Sequence, residues 1–279
     1  MKKTKRIAAL LLTVAVMAAA VVSLTSCGKT NTPEEPTLIC GVTDFDPMNY
    51  LDASGNWTGF DTEFARLVGD KLGMKVEFQL IDWGSKYMEL ESGAISAIWN
   101  GFTANGTDEN SDGVRVPRAQ LVDMSYSYVL NQQCVVARTD KAGEIKSIDD
   151  LKGKTVAVES GSAGEGEAVA ALDGSGTILD VSSQVATFLE VKSGAADCAV
   201  VDILLAQGRV GTGDYADLVI IPEIEMAYEI YAIGFKKGDP LRDKVNGAIK
   251  ELYDEGKLME LAEKYDLENV LSLDFSYKG

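Results

Sequence analysis

From Leu38 onward the chain alternates short apolar runs with segments whose apolar side chains recur every three or four positions. Leu38 to Val42 reads as a strand. Phe60, Phe64, Leu67, Val68 and Leu72 then form a stripe at helical spacing, and Gly73 follows as a stop signal. Val76 to Ile81 predicts a second strand, Tyr87 to Glu91 a helix and Ile95 to Trp99 a third strand. This βαβαβ order implies a parallel sheet with right-handed crossovers. A second series opens at the turn Leu151-Lys152-Gly153-Lys154. It continues as a strand from Thr155 to Val158, a small-residue loop from Ser160 to Gly164 and an apolar stretch from Ala168 to Leu172. A helix from Val185 to Val191 and a strand from Cys198 to Val201 complete it. The last amphipathic pattern runs from Leu241 to Tyr265 on Leu241, Val245, Ile249, Leu252, Leu258 and Leu261, with Gly256 dividing it into two helices. Two α/β units of roughly a hundred residues each are of ordinary domain size. Open α/β sheets bind ligands beyond the carboxyl ends of their strands, so two such edges facing each other would form a cleft.

The first 27 residues follow a different pattern. Lys2, Lys3, Lys5 and Arg6 precede an apolar run from Ile7 to Val22, which closes at Leu24-Thr25-Ser26-Cys27. A run of this length approaches that of a membrane span. It stops at small residues and a cysteine and turns polar, which is the form of a secretory signal peptide. Leu-Thr-Ser-Cys resembles the bacterial lipobox, and that resemblance implies a diacylated Cys27 at the mature N-terminus, held at a membrane surface by its acyl chains. Residues 28–36 carry two prolines and no apolar period, and are expected to be a flexible tether.

Charge and composition then narrow the chemistry. The 279 residues include 43 acidic and 26 basic side chains, a net charge of −17 that repels phosphodiester backbones and argues against nucleic-acid binding. There is no histidine, which removes Ser-His-Asp and Cys-His nucleophilic chemistry and His-ligated metal. Cys40, Cys134 and Cys198 lie in apolar runs without a CxxC pattern, so buried free thiols are expected rather than a disulfide or a metal site.

Several segments carry a resemblance. They include Gly59-Phe60-Asp61, Ile81-Asp82-Trp83, Glu91-Ser92-Gly93-Ala94-Ile95 and Asn100-Gly101-Phe102-Thr103. Arg118 to Ser125, Leu151 to Val158, Lys192 to Asp202, Ile233 to Gly238 and Leu241 to Ala248 continue the order. Together they resemble the exported solute-binding proteins of polar amino-acid ABC transporters, over nearly all of Leu38 to Leu267. The resemblance implies an α/β fold of two Rossmann-like lobes joined by a two-strand hinge. Lobe 1 would comprise residues 37–130 and 232–279, and lobe 2 residues 131–231. It also implies a monomer that takes a polar amino acid and delivers it to the membrane permease, with no cofactor, no metal and no catalysis.

The residues implied for the ligand are Phe45, Trp83, Asn100, Gly101, Thr103, Arg118, Glu159, Ser162, Ala163 and Asp202. Arg118 would bind the carboxylate with its planar fork, supported by the Thr103 hydroxyl and by Ser162, Ala163 and the N–H groups of the Ser160–Gly164 loop. Asp202 would take the ammonium. Glu159 would face the ligand side chain and favour a cation or an amide. Phe45 and Trp83 would sandwich its aliphatic part, and Asn100 and Gly101 would offer polar backbone. Fifteen positions separate Thr103 from Arg118, where the family has about five. The Gly-, Asp- and Asn-rich insertion from Asn105 to Val116 is expected to loop out, and it leaves Arg115 as an alternative to Arg118.

Several of these residues have a plainer structural alternative. Either arginine could be a surface charge, Asp202 a helix cap, Glu159 a solvated carboxylate, and each aromatic a piece of core. Two other functions stay open at this point. One is a small-acid dehydratase using Glu159 as a general acid or base. The other is a sensor module working with a separate partner.

Overall fold

The computed structural model describes residues 36–277. Cys27 and nearly all of the expected tether lie outside them. The first part of the chain runs through β1 (Thr37–Val42), β2 (Tyr50–Leu51), β3 (Trp57–Thr58), α1 (Phe60–Leu72), β4 (Lys75–Leu80), α2 (Lys86–Ser92) and β5 (Ala97–Thr103). Next come β6 (Thr107–Glu109), β7 (Arg115–Pro117), β8 (Asp123–Met124) and the twelve-residue β9 (Ser127–Arg138). The middle part holds β10 (Thr155–Glu159), α3 (Ala163–Leu172), β11 (Thr177–Val181), α4 (Gln184–Ser193), β12 (Cys198–Asp202), α5 (Ile203–Arg209) and β13 (Leu218–Ile220). The chain closes with β14 (Tyr228–Phe235), α6 (Leu241–Asp254), α7 (Lys257–Lys264) and β15 (Leu271–Asp274).

The strand order β11-β10-β12-β9-β14-β5-β1-β4 shows two lobes of the same construction. In lobe 1, β1 pairs parallel with β4 and β5; in lobe 2, β10 pairs parallel with β11 and β12. Each trio is capped by an antiparallel strand, β14 against β5 and β9 against β12. The long strand β9 serves both lobes: it pairs with β14 at Val129 to Gln132 and with β12 from Gln133 to Ala137. The carboxyl ends of β5, β10 and β12 therefore converge beside β9 and β14, at the places where each sheet reverses its strand order.

Local signals explain the elements. Helix α1 starts after Gly59, whose φ of 113° and whose approach to the Met48 carbonyl admit no side chain, and it stops at Gly73 in the left-handed region. Asp61 and Glu63 lie in its first turn and Lys71 in its last, each complementing the helix dipole. Ser162 and Ser183 cap α3 and α4 by accepting the N–H groups of Glu165 and Ala186. The third strand starts later than its apolar pattern suggests, at Ala97, because the Ile95 N–H bonds back to Glu89 O at the end of α2. The insertion does not simply loop out. It folds as the hairpin β6–β7, pairing Asp108 with Val116.

The central strands β5 and β12 are buried along their whole length, as expected of parallel strands covered on both faces. Alternate residues enter opposite cores: Ala199 and Val201 join one layer, Cys198 and Val200 the other. Cys40, Cys134 and Cys198 are free and buried. The lobe 1 core centres on Phe64, fully buried against Phe60, Trp99 and Tyr128 at ring separations of 5.9, 5.3 and 5.4 Å. Truncation of Phe64 to alanine is expected to destabilise the protein by about 3–5 kcal/mol. Urea unfolding checks this, with a lower midpoint at an unchanged slope.

Candidate functional site

Where the two lobes meet, the ends of β5, β10 and β12 enclose a cavity of about 10 Å³, room for roughly one water. Its wall is formed by Trp83, Asn100, Gly101, Thr103 and Arg118 from lobe 1, and by Glu159, Ser162, Ala163, Gln184 and Asp202 from lobe 2. Nine of the ten residues expected from the sequence are brought together here. Phe45 is the exception. Its ring is buried at the edge of Tyr231, 6.4 Å between centroids, and stands behind Gly101 rather than on the cavity wall. Gly101 has φ of 56°, and a β-carbon on it would lie 2.5 Å from the Phe45 ring, so the aromatic closes the back of the strand end.

Arg118 is 1% exposed and reaches from the short helical turn that follows β7. Its Nη1 donates to Thr103 O at 3.1 Å and its Nη2 to Gly161 O at 3.2 Å, so one guanidinium ties the two lobes together. Its Nε has no hydrogen-bond partner among the described residues. Arg115 is exposed and lines a separate, open cleft of about 330 Å³ beside Gly166 and Glu167. Of the two arginines, only Arg118 faces the buried cavity.

Asp202 heads α5 without capping it through its side chain. The carboxylate instead accepts from Asn131 Nδ2, from Gln133 Nε2 at 3.1 Å, from Tyr231 OH at 2.6 Å and from Gln184 Nε2. Burial pushes its pKa up, and these four donors work against that rise. Gln133 also donates to Glu229 at 2.7 Å, and Thr103 Oγ1 donates to the other Glu229 oxygen. Two carboxylates thus share one amide at the strands that join the lobes. Burial first, and Asp202 second, push Glu229 up to about 7. Glu159, at the end of β10, is 3% exposed and has an oxygen without a partner. Burial and then the Asp202 charge push it up to about 8.

The Ser160–Gly164 loop differs from the expected anion cradle. The Gly161 N–H is taken by the Glu165 carboxylate at 2.6 Å and the Ser162 N–H by Glu159 O at 3.1 Å. Ser162 Oγ accepts the Glu165 N–H, which leaves the hydroxyl hydrogen to donate. The donors remaining for an anion are that hydroxyl and the N–H groups that open α3 at Ala163 and Gly164. Asn100 is bound on both ends of its amide, to Asn49 and to the Thr43 N–H and hydroxyl, so it has only backbone to offer.

Residues not singled out from the sequence complete the site. Lys86, 1% exposed, donates to Gly161 O at 2.8 Å and pairs with Asp108 at 3.0 Å. Burial and the neighbouring Arg118 lower its pKa to about 8. Burial disfavours the charge on Asp108, but Lys86 and Arg118 outweigh it and hold the carboxyl below its ordinary value. Gln184 joins the cavity wall from the first turn of α4. In sequence Lys86 and Gln184 read as ordinary polar residues of helix first turns, and Asp108 as one more acid in a polar insertion. The lining as a whole places a guanidinium against buried carboxylates, the complement of a dipolar ion.

The chain belongs to the bacterial extracellular solute-binding proteins, family 3, whose sequence profile matches residues 38–268. It is 32% identical to the arginine-binding extracellular protein ArtP of Bacillus subtilis over 87% of this chain and 92% of that protein. It is 33% identical to the probable amino-acid-binding protein YxeM of the same organism, over 92% and 96%. Among solved structures, an ancestral arginine-binding protein bound to arginine aligns with a TM-score of 0.72 at 31% identity, covering 83% of this chain and 98% of that one. A substrate-binding protein of an ABC uptake transporter from Streptococcus pneumoniae with bound histidine aligns with a TM-score of 0.72 at 27% identity, over 85% and 94%.

The raised carboxyls give a signed pH dependence. Glu159 and Glu229 keep their protons to about pH 8 and 7 in the folded protein, but only to about 4.5 when unfolded. Their contribution to stability is complete below about pH 4.5 and is lost as pH rises through 7 and 8. Lys86 acts with the opposite sign above about pH 8, where the unfolded chain keeps the proton. Tm is therefore expected to fall between about pH 5 and 8, and E159Q to fall less steeply. An identical slope in E159Q would remove Glu159 as a cause.

Proposed function

We propose that this chain is the extracytoplasmic substrate-binding component of an ABC importer and captures a polar amino acid between its lobes. The observation that carries the reading is an interlobe cavity shared by a buried arginine and two buried carboxyl groups, Glu159 and Asp202. Lobe 1 comprises residues 37–130 and 232–279, and lobe 2 residues 131–231. Arg118 takes the ligand carboxylate, helped by the Ser162 hydroxyl and the N–H groups that open α3. Asp202 takes the ammonium. Glu159, with its unpartnered oxygen, faces the side chain and favours a cationic or amide-bearing one. Trp83 covers the aliphatic part from lobe 1, and Thr103, Asn100 and Gly101 close that side. The arginine-binding and histidine-bound relatives named above agree in kind, since arginine and histidine carry such side chains. They are named for binding, and the ligand leaves chemically unchanged. Because a ligand is larger than the cavity, entry requires the lobes to part, and closure around it presents a shape to the permease.

The chain acts as a monomer, exported by its N-terminal segment and tethered to the membrane by acyl chains on Cys27. Metabolic labelling with a palmitate analogue is expected to tag the wild-type protein and not C27S.

Calorimetry on residues 28–279 against the common amino acids tests the binding reading. Saturable binding to one class is expected, with R118A and D202N each weakening it by at least about thirtyfold, as for loss of one partner of a buried charge pair. Circular dichroism confirms that both variants fold. Absence of saturable heat with every amino acid overturns the reading.

A further inference from the structure

We propose that Asp108, on the hairpin β6–β7, sets the charge selectivity of the cleft by occupying Lys86, so that the cationic end accepts one ligand carboxylate and not two. The inference rests on the amino-acid reading of the cleft and concerns a residue that the sequence reading placed in an unassigned insertion.

Two buried cations converge on one carbonyl. Lys86 Nζ lies 2.8 Å and Arg118 Nη2 3.2 Å from Gly161 O, the residue directly before Ser162 in the cavity wall. Both side chains are 1% exposed, so neither charge is relieved by water. The Lys86 ammonium also stands 5.2 Å from the Trp83 ring centre and 4.6 Å from that of Tyr87, which fixes it at the edge of the site. Unopposed, the pair would present two positive charges, a receptor for two carboxylates.

Asp108 prevents this. One of its oxygens lies 3.0 Å from Lys86 Nζ and 3.5 Å from Arg118 Nη2, and accepts the Tyr87 hydroxyl at 3.1 Å. Among the described residues it is the only ion-pair partner of Lys86. The hairpin holds it there: Asp108 pairs with Val116 across the strands, Asn110 closes the turn with its side chain, and the Arg118 N–H bonds to Gly106 O at the base. Two cations and one fixed carboxylate leave a single positive charge, which one ligand carboxylate balances. A ligand with a second carboxylate meets Asp202 across the cavity with no free cation to answer it.

Calorimetric titration of L-glutamate, beside the amino acid that the wild-type protein binds best, tests the assignment. D108N keeps the shape and the Tyr87 contact and removes the negative charge that balances Lys86. Its affinity for glutamate relative to the preferred ligand is expected to rise at least about tenfold, while D108E stays near wild type. Adding K86M to D108N is expected to abolish the gain, because Lys86 is the group set free. An unchanged ratio in D108N, an equal loss for every ligand, or a wild-type preference for glutamate overturns the proposal while leaving the amino-acid reading standing. A wild-type protein that binds no amino acid overturns that reading and this one with it.

Discussion

Charged groups withdrawn from water must find partners inside the protein, and in this chain part of that partnership crosses from one lobe to the other. Arg118 and Lys86 come from lobe 1, and both bond to the carbonyl of Gly161 in lobe 2. Asp202 and Glu159 come from lobe 2, and Asp202 is bonded by Asn131, Gln133 and Tyr231 of the connecting strands. Opening the cleft returns these groups to water, and closing it asks for compensation within a few ångströms. A dipolar ligand supplies that compensation in one molecule, which is why an interface of charges can act as a trap instead of a simple repulsive barrier.

The sheets exist to hold the ends of three strands in place. Because each lobe repeats the same order, second strand, first, third and an antiparallel cap, β5 and β12 occupy equivalent positions and end at the same crevice. Their complete burial makes those ends rigid. The two connecting strands carry polar side chains where they cross, Asn131 and Gln133 on β9 and Glu229 on β14, and β9 is the place where hydrogen-bond partners change from one lobe to the other.

Much of this was legible in the chain. The apolar stripe from Phe60 to Leu72 marks α1 to the residue, because both of its ends are set by glycines that the helix requires. Asp202 is recognisable because it directly follows a run of buried apolar residues at a strand end. What stayed hidden depends on contacts between residues far apart in sequence. Asn131 and Gln133 look like the polar stretch of a loop, yet they are buried in β9 to serve Asp202. Lys86 resembles any lysine in a helix's first turn until Gly161 arrives 75 residues later to accept its proton donor. Phe45 and Trp83 are alike as aromatics near strand ends, and the sequence does not tell that the first packs behind Gly101 and the second lines the cavity.

The three thiols of the folded body lie on β1, β9 and β12, with no more than 2% exposure, and burial raises the pKa of each. An extracytoplasmic protein whose three described cysteines are free has to keep their sulfur from oxidants and from other chains. Placing every such atom inside a central strand does so at no cost to the moving surfaces. The same placement makes alkylation a clock for global unfolding: a reagent too large to enter the sheet records how often the β-structure comes apart, and stays silent when the lobes merely part.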